Sequence, residues 1–242
     1  MRGKTHWLIF FVFTMTIVNA NAQSLLTDTP RYTPDAQQAI DDYNTEIADQ
    51  SEIYNGAGYT LYPAASKGSA YFNDAVFTAP GAIRYDGIMY KNVPLLYDMY
   101  ADVFVAAQRN ILFVLRADRL SDVYLQGHHF VKLSFQKEQP LTPGFYDELY
   151  DGQTQVLVKR ARQVNNITSV QTIETIYENE DVIYIKKDNH YYKVDGKGSV
   201  LNVFKDKKRQ LSRFLSDKGI RYKNDKEAAI VKLAMYYDQL AN

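Results

Sequence analysis

One dipeptide limits what this chain can become more than any other. Asp86-Gly87 lies between two short apolar runs inside the stretch Ile83 to Ala107. That pair is the chemistry of a two-residue type I′ hairpin, whose central residues both need positive φ. The turn sets a register in which Tyr85 faces Ile88, Ile83 faces Tyr90, and all four share one face. A second pair, Asp151-Gly152, predicts another hairpin. Its alternation puts Phe145, Leu149, Val156 and Val158 on a core side and Tyr146, Glu148, Tyr150, Gln153 and Gln155 on a wet side. A third turn, Asp188-Asn189, joins Val182 to Lys187 with Tyr191 to Val194 and sets Ile183 and Ile185 opposite Val194 and Tyr192. Asp195-Gly196 reads as a loop into a short segment, Ser199 to Phe204. The residues flanking these turns do not match one another, so they carry no internal repeat.

The run of short strands from Val76 onward, with frequent turn signals, predicts an antiparallel meander of about ten strands. The fold class expected is mainly β (α+β): a curved sheet, sandwich or partial barrel with an N-terminal helix and a C-terminal helical pair packed on it. Pro94 cannot donate to a ladder, so its strand lies at an edge or starts at a bulge. The run Ile111 to Leu115, ILFVL, is apolar on both faces and predicts a strand buried on both sides beneath the terminal helices. Thr33 and Pro34 open a helix to about Ile53. In the tail, Asp206 caps a helix carrying Leu211, Phe214 and Leu215 that stops at Gly219 with Ile220 packing back. Asn224 and Glu227 start a last helix striped with Ile230, Leu233, Ala234, Tyr237 and Leu240. The chain divides into a leader at 1–22, a linker and N-terminal helix at 23–53, a β domain at 54–198 and the helical pair at 199–242.

Arg2 and Lys4, the apolar run Trp7 to Val18 and Ala20-Asn21-Ala22 have the three-part pattern of a signal peptide. Export to the periplasm or the cell exterior is the expectation. No apolar stretch reaches the roughly 20 residues of a membrane span, and without cysteine there is neither a disulfide framework nor a lipid anchor. The core must therefore be hydrophobic, and about 220 residues suffice to build one. Loss of Arg2 and Lys4 turns the balance of 28 basic and 28 acidic residues into a net charge of −2. Such a surface exerts no long-range pull on nucleic acid or anionic lipid. The 20 tyrosines are the compositional outlier. Tyrosine suits half-buried strands, where its ring packs and its hydroxyl stays wet, and it also suits an aromatic ligand platform.

Chemistry-bearing motifs are few. His128 and His129 are neighbours on a strand and point to opposite faces, so they cannot share a metal, and no metal or cofactor site is expected. No G-x-S-x-G elbow is present, and Gly196-Lys197-Gly198-Ser199 lacks the first glycine of a phosphate loop. Asp147 and Glu148 face opposite ways; Asp41-Asp42 and Glu178 to Asp181 read as solvated charges. Lys159, Arg160 and Arg162 read as a strand end at the surface, with Lys207, Lys208 and Arg209 solvating a helix.

Through Tyr54-Asn55-Gly56, Tyr85-Asp86-Gly87, Val93 to Asp98, Gly144-Phe145-Tyr146, Val156 to Arg160 and Ala228 to Leu240, the chain resembles a group of exported β-rich proteins of the Bacteroidota. The resemblance implies an envelope or secreted role and brings no reaction, cofactor or catalytic residue. The function expected is a non-enzymatic binding or structural role in the envelope. Its partner is a glycan, peptide or protein, not nucleic acid, and its candidate surface is Tyr146, Glu148, Tyr150, Gln153 and Gln155. The alternative is a hydrolase acting on glycan or peptide through two carboxylates that the fold brings together.

Overall fold

The computed structural model describes residues 52–65, 67–134, 139–168 and 173–241. The expected leader, and the expected Pro34 helix as far as residue 51, lie outside them. Glu52–Tyr54 forms one 3-10 turn, which buries Ile53.

The described strands are β1 (Ala79–Tyr85), β2 (Ile88–Asp98), β3 (Val103–Gln108), β4 (Ile111–Val114), β5 (Leu120–Leu125), β6 (His128–Leu133), β7 (Gly144–Asp151), β8 (Gln155–Lys159), β9 (Arg162–Thr168), β10 (Ile173–Asn179), β11 (Val182–Lys187) and β12 (His190–Val194). Ten form one antiparallel sheet in the order β12-β11-β8-β7-β6-β5-β1-β2-β3-β4, and β9 and β10 pair as a separate ribbon. The opening hairpin has the expected register, Tyr85 opposite Ile88 and Ile83 opposite Tyr90. Asp86 and Gly87 sit at φ 49° and 80°. Asp188 and Asn189 turn the β11–β12 hairpin the same way, at φ 51° and 59°, with Ile183 opposite Val194 and Ile185 opposite Tyr192. Gln126-Gly127 supplies a further such turn between β5 and β6.

The sheet curls without closing. Phe104 of β3 and Phe145 of β7 meet edge to face, ring centroids 4.9 Å apart, although four strands separate them in the sheet. Beside them Lys159, at the end of β8, reaches Asp102, just before β3, at 2.5 Å. Side chains thus bridge the gap that a ladder would close in a barrel. Inside the curl lie Ile83, Tyr85, Leu95, Tyr97, Phe104, Val123, Phe130 and Phe145, all buried. The same inner face continues over β8, β11 and β12, where Val156, Val158, Ile183 and Ile185 pack on three helices. These are α1 (Lys197–Val203), α2 (Lys208–Asp217) and α3 (Lys226–Ala241). The C-terminal helical pair, α2 and α3, therefore lies on the sheet as expected, filling its inner face beyond β7.

In the tail the helix stop is as read, but Asp206 does not cap α2, whose N-cap is Lys207; Asp206 accepts from Lys187 and Tyr237 instead. Gly219, at φ 62°, donates to the Ser216 carbonyl at 3.1 Å, and Ile220 donates to the Leu215 carbonyl at 2.9 Å. Those two bonds make the Schellman stop. The N-cap of α3 is Asp225, which accepts from the Ala228 N–H at 2.9 Å, one residue later than expected. Glu227 is drawn away to Arg160. Ser199 to Phe204 is mostly helix, since α1 begins at Lys197.

Two strand expectations need correction. ILFVL is not a central strand: β4 ends the sheet, and Ile111 is 59% exposed. Its edge is covered by chain instead of helices. Tyr59 donates to the Leu112 carbonyl and Val114 donates to the Ala57 carbonyl, each at 2.8 Å. Gly56 belongs to that strap because a Cβ there would collide with the Val114 carbonyl. The second hairpin is not a two-residue turn either. Asp151 pairs with Gln155 around a three-residue loop, and the register slips between Glu148 and Tyr150. Pro94 sits inside β2 facing Pro80, shortly after a bulge at which Ala82 opposes both Lys91 and Asn92.

Candidate functional site

The bulge in β7 splits the surface expected from alternation. Tyr146 lies on the outer face and is fully buried with Leu141, Leu157, Tyr184 and Tyr191. Its hydroxyl donates to the Thr142 carbonyl at 2.7 Å. Tyr150, past the bulge, has crossed to the inner face, packs on the helices and donates to Asp238 at 3.0 Å. One extra residue reverses every later side chain. Gln153 sits in the exposed loop. Only Glu148 and Gln155 remain together on the outer face, joined by a hydrogen bond from the Gln155 amide. No shared tyrosine platform exists at this hairpin.

The inner face holds a polar seam between the two apolar cores. Asp147, 1% exposed, accepts from Nε and Nη2 of Arg160 at 2.9 and 2.5 Å and faces Nδ1 of His128 at 2.9 Å. Arg160 Nη1 also donates to Asp181 at 3.0 Å and to Glu227 at 2.6 Å. Burial alone would lower the Arg160 pKa, but its bonds to Glu227 and the charge of Asp147 outweigh that and hold it above the ordinary arginine value. Arg162 pairs with Asp181 and Lys159 with Asp102, so the basic group expected at the surface is an internal clamp. A polar cleft of about 330 Å³ opens beside it, lined by Phe72, Asp74, His128, Arg160, Asp181 and Glu227. The fold does bring distant acids together, but around a guanidinium. Asp147, Asp181 and Glu227 each spend an oxygen on the Arg160 ion pair, and no two of them face an open cleft as a free pair.

A second buried carboxylate gathers a cluster of tyrosines. Asp98, 0% exposed, accepts from the hydroxyls of Tyr59 and Tyr62 at 2.7 and 2.9 Å and from the backbone N–H groups of Tyr100 and Ala101, both at 2.9 Å. Tyr71, Tyr100 and Tyr177 pack around Tyr62. With Leu96 and Val105 these tyrosines cover the outer face of β2 and β3.

Between that cover and the one over Tyr146, the outer face of β1, β5 and β6 carries a row of partly exposed side chains. Tyr124, 40% exposed, stacks on His129 with centroids 4.4 Å apart and planes at 3°. His129 is held from two sides, by Asp122 at Nε2 (3.1 Å) and Glu148 at Nδ1 (2.9 Å). Across the strand from Tyr124 on the other side is Ala82. A trough of about 490 Å³ runs there, lined by Pro80, Ala82, Lys91, Asn92, Tyr124 and Gln126 among others. The β2 bulge provides one wall by turning Lys91 and Asn92 toward a single small residue, and the Gln126-Gly127 turn closes one end. Burial, and then the charge of Asp122, push the Tyr124 phenol above its ordinary pKa, so it is neutral at physiological pH.

The chain matches no family model, no curated protein and no solved structure. Among the described residues, no group of three or more His, Cys, Asp or Glu side chains could hold a metal ion. The trough therefore stands on its geometry. Of the expected surface residues only Glu148 reaches this place, through His129, while Tyr124, His129 and Ala82 are not among them. A signal was present: Gln126-Gly127 as a type I′ turn puts Tyr124 opposite His129, a stacking pair on one face.

Proposed function

We propose that this chain is an exported protein of the cell envelope, periplasmic or extracellular, that binds a partner through the outer trough at Tyr124. The observation that carries this reading is the gap in the outer cover of the sheet. Both flanks are covered, yet the middle strands present an exposed ring backed by a clamped histidine. Apolar rings with a few placed polar groups are the usual makings of a ligand site, and about 490 Å³ lies within the common range. The N-terminal signal pattern supports export. No helix among the described residues is long and apolar enough to cross a membrane.

Two measurements test the proposal. Expression in a bacterial host with fractionation and N-terminal sequencing should find the protein outside the cytoplasm, beginning at Gln23. A thermal-shift screen of envelope oligosaccharides and peptides should find ligands for the wild type that fail to stabilise Tyr124→Ala. Cytoplasmic retention of the unprocessed chain, or equal stabilisation of both proteins, would contradict it. The hydrolase alternative gains nothing from the acids at Arg160, which are bound to its guanidinium.

A further inference from the structure

We infer that the trough takes a glycan and stacks a pyranose ring on Tyr124. This rests on the reading of the trough as the binding site. A pyranose has an apolar face of C–H groups and a rim of hydroxyls, so it needs a flat ring with an uncovered side and hydrogen-bonding groups around it.

Each requirement has a residue. One side of the Tyr124 ring is taken by His129, and the cross-strand neighbour on the other side is Ala82, whose single methyl leaves room beside the ring. The His129 clamp between Asp122 and Glu148 fixes the ring before any ligand arrives, which lowers the ordering cost of binding. Lys91 and Asn92 on one wall and the Gln126 amide at the end carry the polar groups for the hydroxyl rim.

A second aromatic stands exposed in the loop between Asn73 and Pro80. Phe77 is 81% exposed and Val76 72% exposed. Their loop is tied down at both ends, by the Asn73 amide donating to Gln126 at 2.9 Å and by Pro80, which lines the trough. An exposed phenylalanine leaves apolar surface in water, and a stacking surface for a neighbouring sugar unit accounts for it. The trough therefore fits part of an oligosaccharide chain better than a single sugar.

The test is isothermal titration of the protein comprising residues 23–242 with cellohexaose, chitohexaose and mannohexaose, alongside a panel of envelope-derived peptides. At least one hexasaccharide should bind. Tyr124→Ala and Ala82→Leu should each weaken it about tenfold or more, Tyr124→Trp should keep it, and Phe77→Ala should weaken the hexasaccharide more than its trisaccharide. Tyr124→Trp and Ala82→Leu change outward-facing positions, so they remain informative if Tyr124→Ala unfolds. Loss of binding in Tyr124→Trp would overturn ring stacking. Failure of all three hexasaccharides beside a peptide that binds in a Tyr124-dependent way would overturn the glycan and leave the trough. Sugar binding indifferent to Tyr124 and Ala82 would overturn both.

Discussion

At the scale of single residues, two buried carboxylates do opposite kinds of work. Asp98 is fully buried, and its partners are two tyrosine hydroxyls and two backbone N–H groups. Asp98→Ala strands all four, and at about 1–3 kcal/mol for a buried unsatisfied group the loss should reach at least about 3 kcal/mol. Asp98→Asn keeps the shape and one acceptor, so urea unfolding should show it to be milder. Asp147 instead depends on Arg160. Arg160→Met leaves a carboxylate at 1% exposure without its cation and should cost about 3–5 kcal/mol. Adding Asp147→Leu removes that orphaned charge, so the double variant should unfold at higher urea than Arg160→Met alone. Equal or lower stability of the double variant would show that the seam is not held by charge pairing.

At the scale of elements, two of the three turns read as two-residue hairpins have that geometry, Asp151-Gly152 opens a three-residue loop instead, and bulges leave no mark in the sequence. Asp86-Gly87 and Asp188-Asn189 announce positive φ in their own chemistry, and their registers followed from the residues. The β7 bulge has no such mark. Glu148, Leu149 and Tyr150 read as plain alternation, which puts Tyr150 on the face of Tyr146; the slip carries it to the other face, where it bonds Asp238 of α3. ILFVL misled for a related reason: an edge strand can be apolar on both faces when a strap such as 57–59 covers its edge. The strap makes Gly56 intolerant. Gly56→Ala should destabilise well beyond the roughly 1 kcal/mol expected for Gly219→Ala, where the only obstacle is positive φ with nothing within 4 Å. The contact between β11 and the helices is pH-sensitive. Burial lowers the Lys187 pKa, but hydrogen bonds to Tyr237 and Asp206 outweigh it and push the lysine up to about 12. Burial, then the charge of Asp195, likewise pushes Tyr222 up to about 12. Both groups are raised, so their contribution is complete below the unfolded values near 10 and is lost as pH rises toward 12. Thermal unfolding monitored by circular dichroism should show stability falling across that window, with Lys187→Met showing a shallower fall.

At the scale of the whole molecule, one curved sheet serves two cores. Its inner face wraps the aromatic core along one half and the helices along the other, and the Asp147–Arg160 seam locks the junction. Composition foretold the class, an antiparallel sheet with terminal helices, because tyrosine-rich alternation and short turn spacing leave few other solutions. It could not foretell which tyrosines stay outside. Tyr59 and Tyr62 are consumed by a buried carboxylate and Tyr146 by a loop, while Tyr124 stays partly exposed because its neighbours across the strands are Ala82 and a clamped His129. Ligands are proposed to enter at that place. Mapping the amide resonances of residues 23–242 during titration with envelope oligosaccharides and peptides tests it most directly. Shifts confined to residues 80–82, 91–92 and 124–129 are predicted; shifts centred on residues 146–155, or on the cleft between α2 and α3 where Phe214 stacks on Tyr236, would contradict it.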